Sequence, residues 1–311
     1  MRVAFFGMFE YGSLVLQGLL EAGLEIACVV TVHQDPHREP YFEATPLHEV
    51  ARAAGLTLYE PESVRTDKFR ALLASHKPDM GAIALFDKLL PAEVLRVPTQ
   101  GFLNAHPSLL PAYRGPTPHN WVLINGETKT GVSIHQVNPE MDSGAVLLQA
   151  SCAIEPDDTA DIVMHKLAKL ASKALPEGLK QVEAGKAHFM PQDPARATYF
   201  PRRRDAYGIV LWWKSAQEIY NLYRGMLPRP GAFTYHHSRK LGLLRAKLVP
   251  SPSSQAQHLE AGGVLQVTPE GVWVQCGQGQ VLLEELLLEG KAVSASEYAA
   301  QYKLVVGDHL G

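Results

Sequence analysis

The chain has 311 residues, enough for one large domain with a smaller one, or for a single large one. Hydrophobic residues make up 46% and charged residues 20%, the profile of a soluble globular protein with ample material for a core. A formal net charge of −3 makes no global demand for nucleic acid, and three isolated cysteines, Cys28, Cys152 and Cys276, point to neither a disulfide framework nor a thiolate metal site.

Met1 and Arg2 lead straight into an apolar run, without the apolar region and cleavage site of a signal peptide. No apolar stretch is long enough to span a bilayer, so the cytoplasm is the expected compartment and no membrane partner is expected. Residues 3–6 read as a buried strand stopped by Gly7. Residues 13–22 carry Leu16, Leu19 and Leu20 at helical spacing and close at Gly23. Strands follow at 26–32, 56–59 and 80–85, with helices at 46–54 and 67–75. Strands that are apolar throughout and alternate with helices predict an α/β fold, a doubly wound and mostly parallel sheet covered on both faces.

Beyond Gly101 the pattern changes. Residues 102–105 form a short strand entering a Pro-rich loop, and 130–137 a strand of polar–apolar alternation. Residues 159–175 form an amphipathic helix that Pro176 ends or kinks. The Pro-, Arg- and Asp-rich stretch 189–204 lacks periodicity. It reads as a connection, giving a first domain over 1–190, a linker over 191–204 and a second domain over 205–311. In the second domain 216–226 is a helix. Strands at 232–235, 263–268, 271–276 and 281–288, parted by turn residues, predict a smaller C-terminal antiparallel β-barrel, with 251–257 a solvated loop.

Candidate chemistry concentrates between Gly101 and Gln149. An α/β sheet collects functional groups at the carboxyl ends of its strands. Asn104 and His106 stand at such an end, two residues apart in extended chain, so both side chains point the same way. Asp142 lies in another loop, shortly before Gly144. An amide, an imidazole and a carboxylate suit acyl transfer to an amine. A fixed donor at a carbonyl oxygen that gains negative charge is worth roughly 3–4 kcal/mol. Imidazole can take the proton the amine loses, and Asp142 can orient His106 or hold the proton in a water relay. Taken singly, the same residues also fit a turn-capping Asn and a helix-capping Asp.

The full string adds more. N-x-H-P-S-L-L-P at 104–111, then Tyr113-Arg114-Gly115, then Asp142-Ser143-Gly144, resembles the signature of the enzymes that use N10-formyltetrahydrofolate. The likeness covers nearly the whole chain, through L-F-D-K-L-L-P at 85–91 and L-P-R-P-G-A-F-T at 227–234. It implies a Rossmann-like formyltransferase domain, an OB-like C-terminal barrel, N10-formyltetrahydrofolate as co-substrate and no metal. Asn104 would bind the formyl oxygen, His106 stabilise charge or move a proton, and Asp142 act through His106 or water. The folate pocket would be built largely from backbone at Phe86, Asp87, Lys88, Leu89 and Leu90, closed by Asn138, Glu140 and Met141. For Leu89 and Leu90, core packing is an equal reading. Gly7, Gly12, Ser108 and Arg114 would meet the acceptor.

Within the family the motif region resembles the formyltransferase half of the bifunctional enzyme that modifies UDP-4-amino-4-deoxy-L-arabinose. That likeness runs through Tyr113-Arg114-Gly115, Asn120-Trp121 and Asn125-Gly126-Glu127-Thr128. The expected acceptor is therefore a nucleotide-linked amino sugar, with initiator methionyl-tRNA as the alternative and a formyltetrahydrofolate hydrolase third. Against tRNA stands the loop 32–45, where Asp35, Glu39 and Glu43 interrupt His33, His37 and Arg38. His33, His37 and His48 lack the rigid, convergent spacing of a metal site. The spacing of Gly7 and Gly12 is not that of a dinucleotide fingerprint. Arg202, Arg203 and Arg204 read as a solvated linker or a contact to an anionic acceptor, and Trp212 and Trp213 as packing. The oligomeric state stays open.

Overall fold

In the computed structural model, which describes residues 1–33, 40–249 and 260–311, the buried apolar runs become strands. In chain order these elements are β1 (Arg2–Gly7), α1 (Phe9–Glu21), β2 (Glu25–Val30), α2 (Leu47–Ala53), β3 (Leu58–Tyr59), α3 (Asp67–Ser75) and β4 (Met80–Ala84). Next come α4 (Ala92–Leu95), β5 (Phe102–His106), α5 (Pro118–Ile124), β6 (Lys129–Gln136), β7 (Val146–Ala153) and α6 (Ala160–Glu183). One compact unit comprises residues 1–119, 128–156 and 161–202.

Its seven strands run in the order β3-β2-β1-β4-β5-β6-β7, parallel from β3 to β5 and antiparallel at β6 and β7. This is the doubly wound, mostly parallel sheet expected. The chain winds outward from β1 to β3, then resumes at β4 on the other side of β1, and such a reversal opens a crevice at the carboxyl ends of the two central strands. Val3, Ala4, Phe5 and Phe6 of β1 are fully buried because both faces are covered. Phe6 meets Phe69, Phe86 and Phe102 edge to face, at 6.3, 5.4 and 5.4 Å between ring centroids.

Several features differ from expectation: α1 starts at Phe9 rather than at residue 13, and α4 and α5 were not foreseen. β7 is a full strand paired along β6, although nothing marked it in the sequence. And α6 continues through Pro176 to Glu183. Proline removes the N–H that would meet the Ser172 carbonyl. That carbonyl instead faces Gly18 of α1, where an added Cβ would lie 2.1 Å from it. The two helices therefore pack closely at this point.

The second unit comprises residues 120–127, 157–160 and 203–311. Its elements are α7 (Ala216–Met226), β8 (Ala232–His236), β9 (Arg239–Val249), β10 (Val264–Thr268), β11 (Gly271–Gln275), β12 (Gln280–Leu288), β13 (Lys291–Ser294) and α8 (Ala295–Tyr302). Ser215 with Glu218 and Ser294 with Glu297 form reciprocal capping boxes that start α7 and α8. The six strands make one antiparallel sheet, β10-β11-β12-β9-β8 with β13 on β12, and share one apolar core with α7 and α8. The sequence did not announce β9, because Gly242 and four basic residues break its apolar run. Short earlier stretches join this unit: Asn120 Nδ2 donates to the Gly225 carbonyl at 2.9 Å, and Tyr220 donates to Asp157 at 2.9 Å. The expected loop at 251–257 lies outside the described residues, among which no helix is long and apolar enough to cross a membrane.

Gly18→Ala is expected to destabilise the chain. Overpacking against a carbonyl costs about 1–3 kcal/mol, against a gain of about 1 kcal/mol in helix propensity. Urea unfolding should show a lower midpoint; a raised one would mean that α1 and α6 are not in close contact at Ser172.

Candidate active site

A cavity of about 520 Å³ opens in the first unit where β1, β4 and β5 end. Asn104 and His106 reach it from β5, two residues apart on one face. The chain leaving β4 turns at Leu85, whose φ is +55°, and lines the cavity with residues 85–90. The loop between β6 and β7 supplies Asn138, Met141 and Asp142. Asp142 and Tyr113 also adopt positive φ, 53° and 60°. Such conformations cost about 1–3 kcal/mol each outside glycine and persist only where surroundings impose them.

The three polar groups converge. His106, 3% exposed, has Nε2 at 3.0 Å from the Tyr113 carbonyl and Nδ1 at 3.6 Å from Asp142 Oδ1. A carbonyl only accepts, so Nε2 carries a hydrogen, and Nδ1 is the ring nitrogen that faces the carboxylate. Asp142 Oδ2 accepts from the Gly115 amide at 2.9 Å. Asn104 Nδ2 lies 3.1 Å from Nε2 of His135, directly across the β5–β6 pairing.

His135 is a member of the site that sequence reasoning missed. Its Nδ1 lies 2.8 Å from the Gln136 carbonyl, so Nδ1 holds the hydrogen and Nε2 accepts from Asn104. Burial pushes its pKa down from the usual 6.5 to about 4, with repulsion from His106 adding to the shift and Asp142 opposing it. The ring is therefore neutral at pH 7, and its 4.0 Å approach to Asp142 Oδ1 is not an ion pair. With one N–H committed to His135, the Asn104 amide keeps a second for a carbonyl oxygen in the cavity. The available signal was a histidine within the alternating strand at 130–137; that it faces Asn104 emerges only from the β5–β6 register.

The other expected residues divide. Phe86, Asp87, Lys88, Leu89 and Leu90 line the cavity, though the Lys88 ammonium turns away to the carbonyls of Pro61 and Glu62 at 2.7 and 3.0 Å. Leu90 also packs on the core, whereas Leu89 is 58% exposed. Asn138 and Met141 line the cavity, but Glu140 is exposed outside its wall. Gly7 and Gly12 also lie outside it. They let α1 start close to β1: a Cβ on Gly12 would meet the Gly7 backbone at 3.1 Å. Ser108 is fully buried outside the cavity wall and donates to the Ala112 carbonyl at 2.9 Å within its own loop. Arg114 is held by Gln192, and Arg202 reaches the cavity wall. His37, with Asp35, Arg38 and Glu39, lies outside the described residues.

Residues 1–179 match the family model described as formyl transferase, and residues 204–303 the formyl transferase C-terminal domain. Over 313 aligned positions, covering all of this chain, it is 34% identical to a methionyl-tRNA formyltransferase of Acetivibrio thermocellus, which is also covered completely. It is 33% identical to a methionyl-tRNA formyltransferase of Desulforamulus reducens, with 98% of that protein covered. Among solved structures, an N-formyltransferase from Helicobacter canadensis, in complex with folinic acid and dTDP-3-aminofucose, shares the fold. Its TM-score is 0.68 at 14% identity, over 91% of this chain and 98% of the other.

Burial of neutral His135 has a measurable consequence for stability. Between about pH 4 and 6.5 the unfolded chain binds a proton at this residue and the folded chain does not, so stability rises with pH across that window. Acidification through it should remove up to about 3 kcal/mol. His135→Gln should flatten the dependence; urea unfolding at pH 4.5 and pH 7 with an unchanged slope would exclude a buried neutral His135.

Proposed function

The chain belongs to the formyl transferase family, and on that premise we propose that it carries the formyl group of N10-formyltetrahydrofolate to the amine of methionyl-tRNA. The observation that carries the acceptor is the unbroken likeness to methionyl-tRNA formyltransferases, at 33–34% identity over the full length of both chains. The amino-sugar acceptor draws less support. Of the residues that resembled the arabinose enzyme, Asn120 is fully buried on the Gly225 carbonyl, Trp121 packs edge to face on Tyr207, and Gly126 abuts Asn221. Their similarity has a sufficient cause in packing within the second unit.

In this reading the folate co-substrate occupies the cavity, whose wall suits a flat heterocycle: Ile83, Phe86, Leu90 and Val137 are apolar, and the turning backbone of 85–90 supplies hydrogen-bonding groups. Asn104 gives its remaining N–H to the formyl oxygen as charge grows there. His106 takes the proton the amine sheds at Nδ1, where Asp142 steadies the resulting imidazolium and the Tyr113 carbonyl keeps the ring from turning. His135 acts through Asn104, by keeping an N–H of that amide fixed. The proton is then available to the folate nitrogen that leaves.

Two measurements test this. Asn104→Ala and His106→Ala should each lower the single-turnover rate by about a hundredfold or more with the fold intact; rates within tenfold of the parent for both would remove these residues from the chemistry. Methionyl-tRNA should be formylated at a higher kcat/KM than amino-sugar nucleotides. Its binding should weaken steeply with salt, by about 10³-fold or more between low and moderate ionic strength if six or more phosphates are engaged. A gentle salt dependence with preferred turnover of a sugar nucleotide would return the acceptor to the sugar class.

A further inference from the structure

Residues 190–200 bond to the loop that follows β5 and to the start of β7, beyond the turn that carries Asp142. Met190 and Val146 exchange backbone hydrogen bonds of 2.8 Å, while the Arg114 amide donates to Thr198 and the Phe200 amide to Arg114, each at 2.9 Å. Between these attachments stands Gln192. Its Nε2 donates to the carbonyls of Asp142 and Gly144, both at 2.8 Å. Its Oε1 accepts from Arg114 Nε at 3.1 Å and Nη2 at 2.7 Å. Carbonyls only accept and a guanidinium only donates, so the amide has one orientation and makes four hydrogen bonds to three residues.

Those bonds fall where the backbone needs them. Asp142 sits at φ +53°, a conformation that an aspartate keeps only when its neighbours hold it. Two residues on, Gly144 lies so close to the Gln136 carbonyl that a Cβ would be 1.9 Å from it. The Asp142 side chain is tied to Gly115, and its backbone is tied through Gln192 to Arg114 in the same arm. We propose that Gln192 is a positioning residue for formyl transfer: it couples the turn carrying Asp142 to the Tyr113–Gly115 arm and so holds the carboxylate within reach of His106 Nδ1. The inference rests on the formyl-transfer reading and is independent of which amine is the acceptor.

Gln192→Glu keeps the size of the side chain and its Arg114 partner but turns an oxygen toward the two carbonyls. Gln192→Met keeps the size and removes all four bonds. Single-turnover rates are compared for the parent, both variants, Asp142→Asn and the double variant Gln192→Met/Asp142→Asn, on whichever acceptor the parent uses. Both single Gln192 variants should keep the parent's circular dichroism and a KM for N10-formyltetrahydrofolate within about threefold, while the transfer rate falls about 10- to 100-fold. In the Asp142→Asn background, Gln192→Met should cost less than about threefold further. A Gln192→Glu rate within threefold of the parent overturns the proposal, as does an equal loss from Gln192→Met with and without Asp142. Should Gln192→Met fail to fold, Gln192→Glu decides alone. A parent that formylates only sugar nucleotides overturns the tRNA reading and leaves this comparison intact on that substrate.

Discussion

β6 pairs antiparallel with β5 in a register that sets Asn104 opposite His135 and His106 opposite Ser133, and the polar side of the cavity follows from it. The buried Ser133 hydroxyl donates to the Ser108 carbonyl at 2.7 Å and accepts from the Leu110 amide at 2.9 Å. The loop leaving β5 is thereby folded back on the strand, which brings the Tyr113 carbonyl to His106. A slip of one residue would turn each of these side chains to the opposite face. Because β6 is central, held by β5 on one side and β7 on the other, such a slip would disrupt both pairings.

Two imidazoles stand 6.2 Å apart between ring centroids beside one carboxylate, yet they are held differently. The difference comes from which ring nitrogen meets a backbone carbonyl: Nδ1 in His135, Nε2 in His106. His135 consequently offers its lone pair to an amide, and His106 turns its Nδ1 toward Asp142. Two imidazolium ions in so dry a space would repel strongly, and deeper burial holds His135 neutral. In the mechanism proposed above, this leaves His106 as the ring that handles the proton.

Much of the architecture was legible because its cause is local. Period and burial follow from side-chain order, so the strands from β1 to β4 and the helices α3 and α7 stood in the sequence nearly at their observed limits. Asn104 and His106, by their spacing at a strand end, and Asp142, by its place in a neighbouring loop, were picked out from the residues, and all three line the cavity. The misses share another cause. β7 and β9 are held by neighbours distant in sequence, with polar or basic residues on their exposed faces. Pro176 looked like a helix end because the carbonyl it strands finds its setting on a different helix. Ser108 looked available for an acceptor because its partner carbonyls appear only once the loop has closed.

The order of apolar and polar residues thus determined the fold class, the antiparallel C-terminal sheet and the strand end at which chemistry collects. Each depends on interactions within a few residues or on burial alone. Tertiary structure decided the rest: which nitrogen of each histidine carries hydrogen, that Gln192 bridges Arg114 to the Asp142 turn, and that Asn120 is a packing residue. Gln192 stands 78 residues from Arg114, Gly225 105 from Asn120 and His135 31 from Asn104, and even the nearer carbonyls of Gln136 and Tyr113 meet their rings only in the folded strand and loop. No local pattern encodes them, because hydrogen-bond partners across a sheet or between loops are chosen by register and closure, which exist only after the chain has folded.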